Sequence, residues 1–199
     1  MSDVAAAVEA IEAGGLAIVP TDTVYGLAAS PHSEAPVRRL YETKGRVALQ
    51  PTALVAASVE LLLELLPELP EPAQRIVQAL LPGPYTLVLP NPAGRFAWLA
   101  GDTPEAIGVR VPRLSGSGGE VLARVGALAA TSANLPGGPD PRTLAEVPEQ
   151  LRAAALAVDG GELPGTASTV IDFTGPEPLV LREGAASSGE ALRLVGRVL

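Results

Sequence analysis

The amino-acid sequence predicts a single domain of the α/β class, with α+β character, over residues 1–199. Segments with apolar residues at helical spacing alternate with short apolar runs that are typical of strands. No repeat, linker or change in composition divides the chain, which is the expected organisation of one mixed domain. The 21 glycines and 20 prolines fall between these segments, so they indicate turns in an ordered protein rather than disorder.

Apolar periodicity predicts helices at residues 2–13, 34–43, 58–66 and 72–81. Three further helix starts are indicated by a capping box, in which a Ser or Thr is followed three residues later by Glu. The boxes are Ser117 with Glu120, Thr143 with Glu146, and Ser187 with Glu190. Strands are predicted between Gly15 and Pro20 and at 52–57, 85–89, 106–111, 127–131, 155–158, 168–173 and 179–181.

The composition excludes several classes of protein. The chain has no cysteine, so disulfides, thiolate nucleophiles and Cys-ligated metal sites are ruled out. A net charge of −8 disfavours extended nucleic-acid binding, although two or three focused cations suffice for a nucleotide. No apolar run approaches the roughly 18 residues of a membrane span, and the acidic N-terminus does not resemble a signal peptide. We therefore expect a cytoplasmic protein that has no contact with membranes.

Polar side chains follow the first predicted strand directly. Thr21, Asp22 and Thr23 come after Pro20, before the chain becomes apolar again at Val24. Side chains held at the end of a core strand are well placed to orient a small ligand. A polar turn between two strands explains the same pattern equally well.

Two cations, Lys44 and Arg46, flank Gly45 at the end of the second predicted helix. In an extended chain both would point the same way and could reach one polyphosphate. Cations near a helix C-terminus are also common because they interact favourably with the helix dipole. The pair therefore needs a partner elsewhere in the chain.

Ser132 and Asn134 provide such a partner, because they follow a predicted strand and precede a loop rich in Gly and Pro. A loop of this kind exposes backbone N–H groups and suits close approach to a nucleotide. Arg142 stands at a predicted helix start, where a nearby anion would relieve its repulsion from the helix dipole. An ordinary Pro/Gly turn remains the alternative.

Other polar residues stand out against apolar surroundings. Arg110 lies within Gly-Val-Arg-Val-Pro, so it lies either on the solvent face of an edge strand or against a carboxylate. Thr86 and Ser168 each begin a predicted strand after a turn. His32, the one histidine, is expected at the surface in a loop.

Six motifs together resemble the YrdC/Sua5 family, the threonylcarbamoyl-AMP synthases. They are Pro-Thr-Asp-Thr-Val-Tyr-Gly-Leu at 20–27, Lys-Gly-Arg at 44–46, Pro-Gly-Pro-Tyr-Thr at 82–86, Val-Arg-Val-Pro at 109–112, Thr-Ser-Ala-Asn at 131–134 and Ser-Thr-Val-Ile-Asp at 168–172. They occur in the family's order. The chain departs from the family pattern at Val47 and Thr52 and near Val55.

The resemblance implies a YrdC-like fold, a twisted sheet with helices around a deep concave site. It implies a nucleotidyltransferase that combines L-threonine, bicarbonate or CO2, and ATP, with Mg²⁺, into threonylcarbamoyl-AMP and pyrophosphate. The product serves t6A37 modification of tRNA and passes to a tRNA threonylcarbamoyl-transferase complex. The chain resembles the short form of the family, without the C-terminal Sua5 domain. An RNA-binding module of the same fold is the alternative function, with weak or no direct nucleic-acid binding expected from the charge.

The resemblance also assigns roles to residues. The family's catalytic tetrad falls on Lys44, Arg46, Ser132 and Asn134. Threonine would be bound by Thr23, Thr86, Arg110 and Ser168. The nucleotide would be bound by the tetrad together with Asp140, Arg142 and Arg182. No metal ligands are assigned.

Overall fold

The structure of the chain is a computed structural model that describes residues 3–45 and 50–199. Within these residues the chain forms helices and strands largely as the sequence predicts, except that the strand at Tyr25–Ala29 was not predicted. The helices are α1 (Asp3–Glu12), α2 (Glu34–Lys44), α3 (Val59–Leu65), α4 (Glu71–Leu80), α5 (Gly116–Val125), α6 (Glu149–Ala154) and α7 (Ser188–Val195). The strands are β1 (Leu16–Pro20), β2 (Tyr25–Ala29), β3 (Ala53–Ala56), β4 (Tyr85–Pro90), β5 (Ala106–Arg110), β6 (Ala127–Ser132), β7 (Leu156–Ala157), β8 (Thr169–Asp172) and β9 (Leu179–Arg182).

All nine of these strands belong to one sheet in the order β7-β1-β2-β6-β3-β5-β4-β8-β9. Three neighbouring pairs are parallel, namely β1 with β7, β3 with β5, and β4 with β8. The other pairs are antiparallel. The predicted mixed sheet is therefore confirmed, and the strands that contain the predicted site residues lie inside it rather than at an edge, except for β9.

The two faces of the sheet are covered unequally. Alternate residues such as Ile18, Leu27, Leu54 and Leu87 join the larger core with side chains of α2, α3, α4, α6 and α7. The residues between them point to the other face, where the smaller core contains side chains of α1 and α5. Since fewer helices cover this second face, part of it is left open, and the candidate site lies there.

The first residues of the helices show whether the N-caps predicted from the sequence are formed. Ser58 and Ser187 cap α3 and α7 as expected, with their hydroxyl oxygens accepting from Leu61 N at 3.1 Å and Glu190 N at 3.3 Å. Ser2, the expected first residue of the first helix, lies outside the described residues. Across those residues, no helix has the length and apolar character needed to cross a membrane.

Two of the three capping boxes are wrong. The N-cap of α5 is Ser115, and the Ser117 hydroxyl instead donates to the backbone oxygen of Asp159 at 3.0 Å. Thr143 begins only a 3-10 turn, Leu144–Glu146. Pro148 follows too closely for that turn to grow into an α-helix, so α6 starts at Glu149.

Candidate active site

A cavity of about 280 Å³ lies on the second face of the sheet. Its volume is near the lower end of those of small-molecule sites, about 300–1,000 Å³. Six of the eleven predicted site residues line it, each from a different segment of the chain: Thr23, Thr86, Arg110, Ser132, Ser168 and Arg182.

The strand register arranges the floor of the cavity in three rows. The first, which we call the polar row, runs across β3, β5, β4, β8 and β9 through Val55, Arg110, Thr86, Val170 and Arg182. The small-residue row lies two residues further along each strand and contains Ala28, Ala130, Ala53, Gly108 and Val88. The Ser132 row, two residues further again, contains Gly26, Ser132 and Ala106.

Arg110 is the central cation of the polar row. Its Nη2 donates to the Asp22 carboxylate and to Thr23 Oγ1, the latter at 3.0 Å. β5 is an interior strand, so the carboxylate alternative for Arg110 is confirmed and the edge-strand alternative is wrong. Burial lowers the pKa of Arg110, and the neighbouring Asp22 charge opposes this shift.

The same guanidinium has a donor that the described residues leave unpaired. Arg110 Nε is buried and has no hydrogen-bond partner among the described residues, and the side chain is 11% exposed. A buried donor without a partner is costly. An incoming carboxylate would satisfy it in the side-on, two-bond geometry that guanidinium favours.

Hydroxyl groups lie beside this cation. Thr86 Oγ1 and Ser168 Oγ are 2.8 Å apart. Arg182 Nε donates to the backbone oxygen of Ser168 at 3.0 Å, and Arg182 Nη2 donates to Ser168 Oγ at 3.2 Å. The positive charge of Arg182 also contributes to lowering the pKa of Arg110. Two cations and two hydroxyls therefore face one end of the cavity.

A β-bulge directs Arg182 into the cavity. Val170 pairs with Arg182, whereas Ile171 pairs with Val180, so Leu181 is an extra residue in β9. If β9 kept all of its residues but paired regularly, the alternation of side chains would place Arg182 on the same face as Val180 and away from Val170. Bulges are frequent beside active sites because they change the direction of a side chain in this way.

Lys44 and Asn134 do not line the cavity themselves, but Lys44 borders its other end through contacts with the lining residues Thr131 and Ser132. This last residue of α2 is 4% exposed, and its ammonium donates to Thr131 Oγ1 at 3.2 Å, to Asn134 Oδ1 at 2.8 Å and to the backbone oxygen of Ser132. The predicted convergence of Lys44 with Ser132 and Asn134 is therefore confirmed. The ammonium contacts the end of β6, so an interaction with the helix dipole does not by itself explain its position.

The surroundings of Lys44 refine the predictions for this segment. Gly45 adopts a left-handed conformation with φ 64°, which excludes an extended chain at this residue. Arg46, as well as the departure at Val47, lies outside the described residues. Asn134 Nδ2 donates to Gly138 O at 2.8 Å and to Asp140 Oδ1 at 3.3 Å, so Asp140 lies behind the amide that receives the Lys44 ammonium.

Arg142 does not line the cavity. Its Nη2 lies 2.6 Å from Glu162 Oε1, and the two side chains are 52% and 65% exposed. The positive charge at this position therefore has a carboxylate partner in Glu162. Its assignment to the nucleotide stays a prediction.

The segment after β1 forms the predicted turn and also borders the cavity, while its role in orienting a ligand stays a prediction. Thr21 Oγ1 donates to Val24 O at 2.7 Å and accepts from Thr23 N at 3.2 Å, so it closes a turn between two antiparallel strands. Thr21, Thr23 and Val24 also line the cavity.

Two residues that contact predicted site residues were missed from the sequence. Asp22 binds Arg110, and its second oxygen accepts from Arg113 N at 3.1 Å. Thr131 contacts Lys44. Both stand directly beside predicted residues in the sequence. The expectation that Arg110 lies against a carboxylate was the signal that could have identified Asp22, because no carboxylate had been assigned to it.

Tyr25 anchors the loop between β7 and β8. Its hydroxyl lies 2.9 Å from Asp159 Oδ1 and 2.8 Å from Gly161 O, and it accepts from Gly160 N at 2.9 Å. Burial raises the pKa of Tyr25. The Gly161 N–H and the Tyr25 hydroxyl lower the pKa of Asp159. The loop so anchored leads to Ser168, and Gly165 N donates to Thr23 O at 2.8 Å.

The sequence model of the Sua5/YciO/YrdC family, described as telomere recombination, matches residues 9–184. The chain belongs to the Sua5/YciO/YrdC family. Two relatives named threonylcarbamoyl-AMP synthase show how far the family similarity extends. The protein of Pyrococcus abyssi is 36% identical over 94% of this chain and 56% of its own length. That of Xanthomonas euvesicatoria is 34% identical over 96% of this chain and 97% of its own length.

A solved structure of the same family confirms the YrdC-like fold. Sua5 of Pyrococcus abyssi, complexed with L-threonine, superposes with a TM-score of 0.87 and 34% identity over 100% of this chain and 59% of that protein. The chain thus spans somewhat more than half of the Pyrococcus protein but nearly the whole of the Xanthomonas one.

Proposed function

We propose that this chain is an L-threonylcarbamoyladenylate synthase, a nucleotidyltransferase that forms threonylcarbamoyl-AMP and pyrophosphate from L-threonine, bicarbonate or CO2, and ATP. The observation that supports it most directly is the cavity itself, which has cations and hydroxyls at one end and the Lys44 contacts with Thr131, Ser132 and Asn134 at the other. The names of the family members support the same reaction.

The polar row is the proposed threonine subsite. The Arg110 guanidinium, with its buried Nε donor, would bind the amino-acid carboxylate. Thr23, Thr86 and Ser168 offer hydroxyls to the threonine hydroxyl, and a site that hydrogen-bonds a substrate hydroxyl rejects analogues without it. Arg182, expected at the nucleotide, bonds Ser168 and in this proposal helps to complete the threonine subsite.

The Lys44 end is the proposed nucleotide subsite. The ammonium donates to Thr131 Oγ1 and Asn134 Oδ1, which brings its positive charge to the end of β6, where it would attract a phosphate. Arg46 would add a second cation, while Asp140 would hold Asn134 in place. Arg142 would bind the nucleotide from outside the cavity, and its exposure gives this assignment the least support.

The reaction needs positioning and charge stabilisation rather than a side-chain nucleophile. The threonine amine reacts with CO2 to give a carbamate and a proton, and a carbamate oxygen then attacks the α-phosphorus of ATP. A new P–O bond forms as the bond to the β-phosphate oxygen breaks and pyrophosphate leaves. Lys44 and Arg46 would stabilise charge that develops on the phosphates.

Mg²⁺ would enter with the phosphates of ATP. Within residues 3–45 and 50–199 there is no cluster of three His, Cys, Asp or Glu side chains that could hold a metal. This fits the usual role of Mg²⁺ in nucleotide sites, where substrate phosphates and waters supply most of its ligands. Its contribution would be to neutralise phosphate charge.

The cellular role is proposed on the same basis. The product would pass to a tRNA threonylcarbamoyl-transferase complex in the cytoplasm, for t6A37 modification of tRNA. Direct RNA binding is not favoured, because the chain carries a net charge of −8 and phosphate contacts to RNA need clustered cations.

The test is pyrophosphate release by the purified chain with ATP, Mg²⁺, bicarbonate and single amino acids. We expect release with threonine well above that with serine, and none without an amino acid. Lys44→Ala is the matched inactive variant. Release that does not depend on threonine, or that is unchanged in Lys44→Ala, would refute the assignment.

A further inference from the structure

Gly108 has no role in the packing of the protein that explains why it is glycine. It lies in the interior strand β5, and its φ is outside the left-handed region that favours glycine. A glycine at such a position weakens a strand and is often found where a ligand approaches the backbone closely.

The surrounding atoms leave room for a larger residue. A Cβ built on Gly108 would meet Ala53 Cα at 3.8 Å and Thr86 Cγ2 at 3.9 Å, which are ordinary van der Waals contacts. Gly118 differs, because a Cβ there would come within 2.0 Å of Pro20 O. Packing therefore requires a glycine at 118 but not at 108.

Gly108 also occupies a defined place on the cavity floor. It belongs to the small-residue row, between the polar row with Arg110 and the Ser132 row that borders Lys44. The outer rows are four residues apart along a strand, about 13 Å. Any molecule that reaches from the unpartnered Arg110 Nε to the Lys44 end must pass over the small-residue row.

From these observations, and on the basis of the proposed function, we infer that Gly108 is a steric positioning residue for the reaction. The space above its Cα is filled by the atoms that join the two substrates, the threonine amine with its carboxyl group and the α-phosphate. A methyl group there meets no protein atom closely but displaces these atoms. The amino acid and the nucleotide would still bind separately, and their reacting ends would no longer meet.

The test compares Gly108→Ala and Gly108→Val with the wild type and with Gly189→Ala, a control on an exposed position of α7. We expect Gly108→Ala to have a Tm equal to or a few degrees above that of the wild type, since Gly→Ala in a compatible conformation stabilises. Its kcat for threonine-dependent pyrophosphate release should fall by about tenfold to a hundredfold, and that of Gly108→Val further. Calorimetric Kd values for threonine alone and ATP alone should remain close to wild type, and Gly189→Ala should keep full activity.

Three results would overturn the inference. The first is a wild-type kcat in both Gly108 variants. The second is a fall in Tm in Gly108→Ala, which would make the glycine a packing requirement. The third is a wild-type protein that shows no threonine-dependent pyrophosphate release, which would refute the proposed function as well. If the wild type is active and one of the first two results is found, only the inference about Gly108 fails.

Discussion

Replacement of Asp22 by alanine removes the only carboxylate that contacts Arg110 among the described residues. The two side chains are 11% and 12% exposed, so neither charge is well solvated. Removing one member of a buried ion pair costs about 3–5 kcal/mol, because the other charge stays buried without compensation. For a chain of this size we expect Tm to fall by about 10 °C.

The exposed pair between Arg95 and Glu68 is the matched control. It has two contacts at 2.6 Å, but its side chains are 44% and 42% exposed. Exposed pairs contribute about 0–1 kcal/mol, so Glu68→Ala should change Tm by a few degrees at most. The two ion pairs therefore differ mainly in how far their side chains are buried.

Urea unfolding followed by the fluorescence of Trp98, the single tryptophan, measures both losses. A cycle of Asp22→Ala, Arg110→Met and the double variant isolates the pair energy. Equal losses in Asp22→Ala and Glu68→Ala would refute the reasoning, as would additive effects of the Asp22 and Arg110 changes. Threonine affinity should fall in Asp22→Ala, because the guanidinium loses the contact that orients it.

Further predictions concern the other end of the site and the Tyr25 contacts. Lys44→Met should lower kcat/KM for pyrophosphate release by about a hundredfold or more, and release near wild type would contradict its phosphate role. The raised pKa of Tyr25 predicts stability that is present below pH 10 and lost as the pH rises through the folded value, so Tyr25→Phe should show a weaker alkaline loss in thermal melts. The lowered pKa of Asp159 predicts stability that is present above pH 4 and lost on acidification, so the Tm difference between the wild type and Asp159→Asn should shrink from pH 5 to pH 2.

Most helix and strand positions could be predicted to within one or two residues because apolar periodicity reflects burial directly, but β2 was not predicted and α6 begins six residues after Thr143. The failure at Ser117 arose where a tertiary contact overrides a local signal, whereas the failure at Thr143 is local, because Pro148 prevents the turn from growing into an α-helix. Ser117 bonds Asp159 O instead of capping α5. The Glu146 carboxylate of the other box accepts from Arg142 N at 2.7 Å.

The candidate site was predictable as a set of motifs but not as a geometry. Ordered motifs pointed to Lys44, Arg110 and Ser132, and the structure places them at one cavity or its border. The strand order, which puts β6 between β2 and β3, depends on long-range pairing that the local sequence does not encode. For that reason, neither Asp22 as the partner of Arg110 nor the position of Gly108 between the two ends could be deduced from the sequence.

The extra residue in β9 has a consequence for sequence comparison. The side to which a β side chain points depends on counting residues in twos, and Leu181 interrupts this count immediately before Arg182. A relative with the same number of residues but regular pairing in β9 would turn its arginine to the helix-covered side of the sheet, whereas a relative that lacked one residue here would keep the arginine opposite Val170 without a bulge. Whether a homologue retains the second cation of the cavity therefore depends on its strand pairing here as well as on the presence of an arginine, a distinction that percentage identity does not reveal.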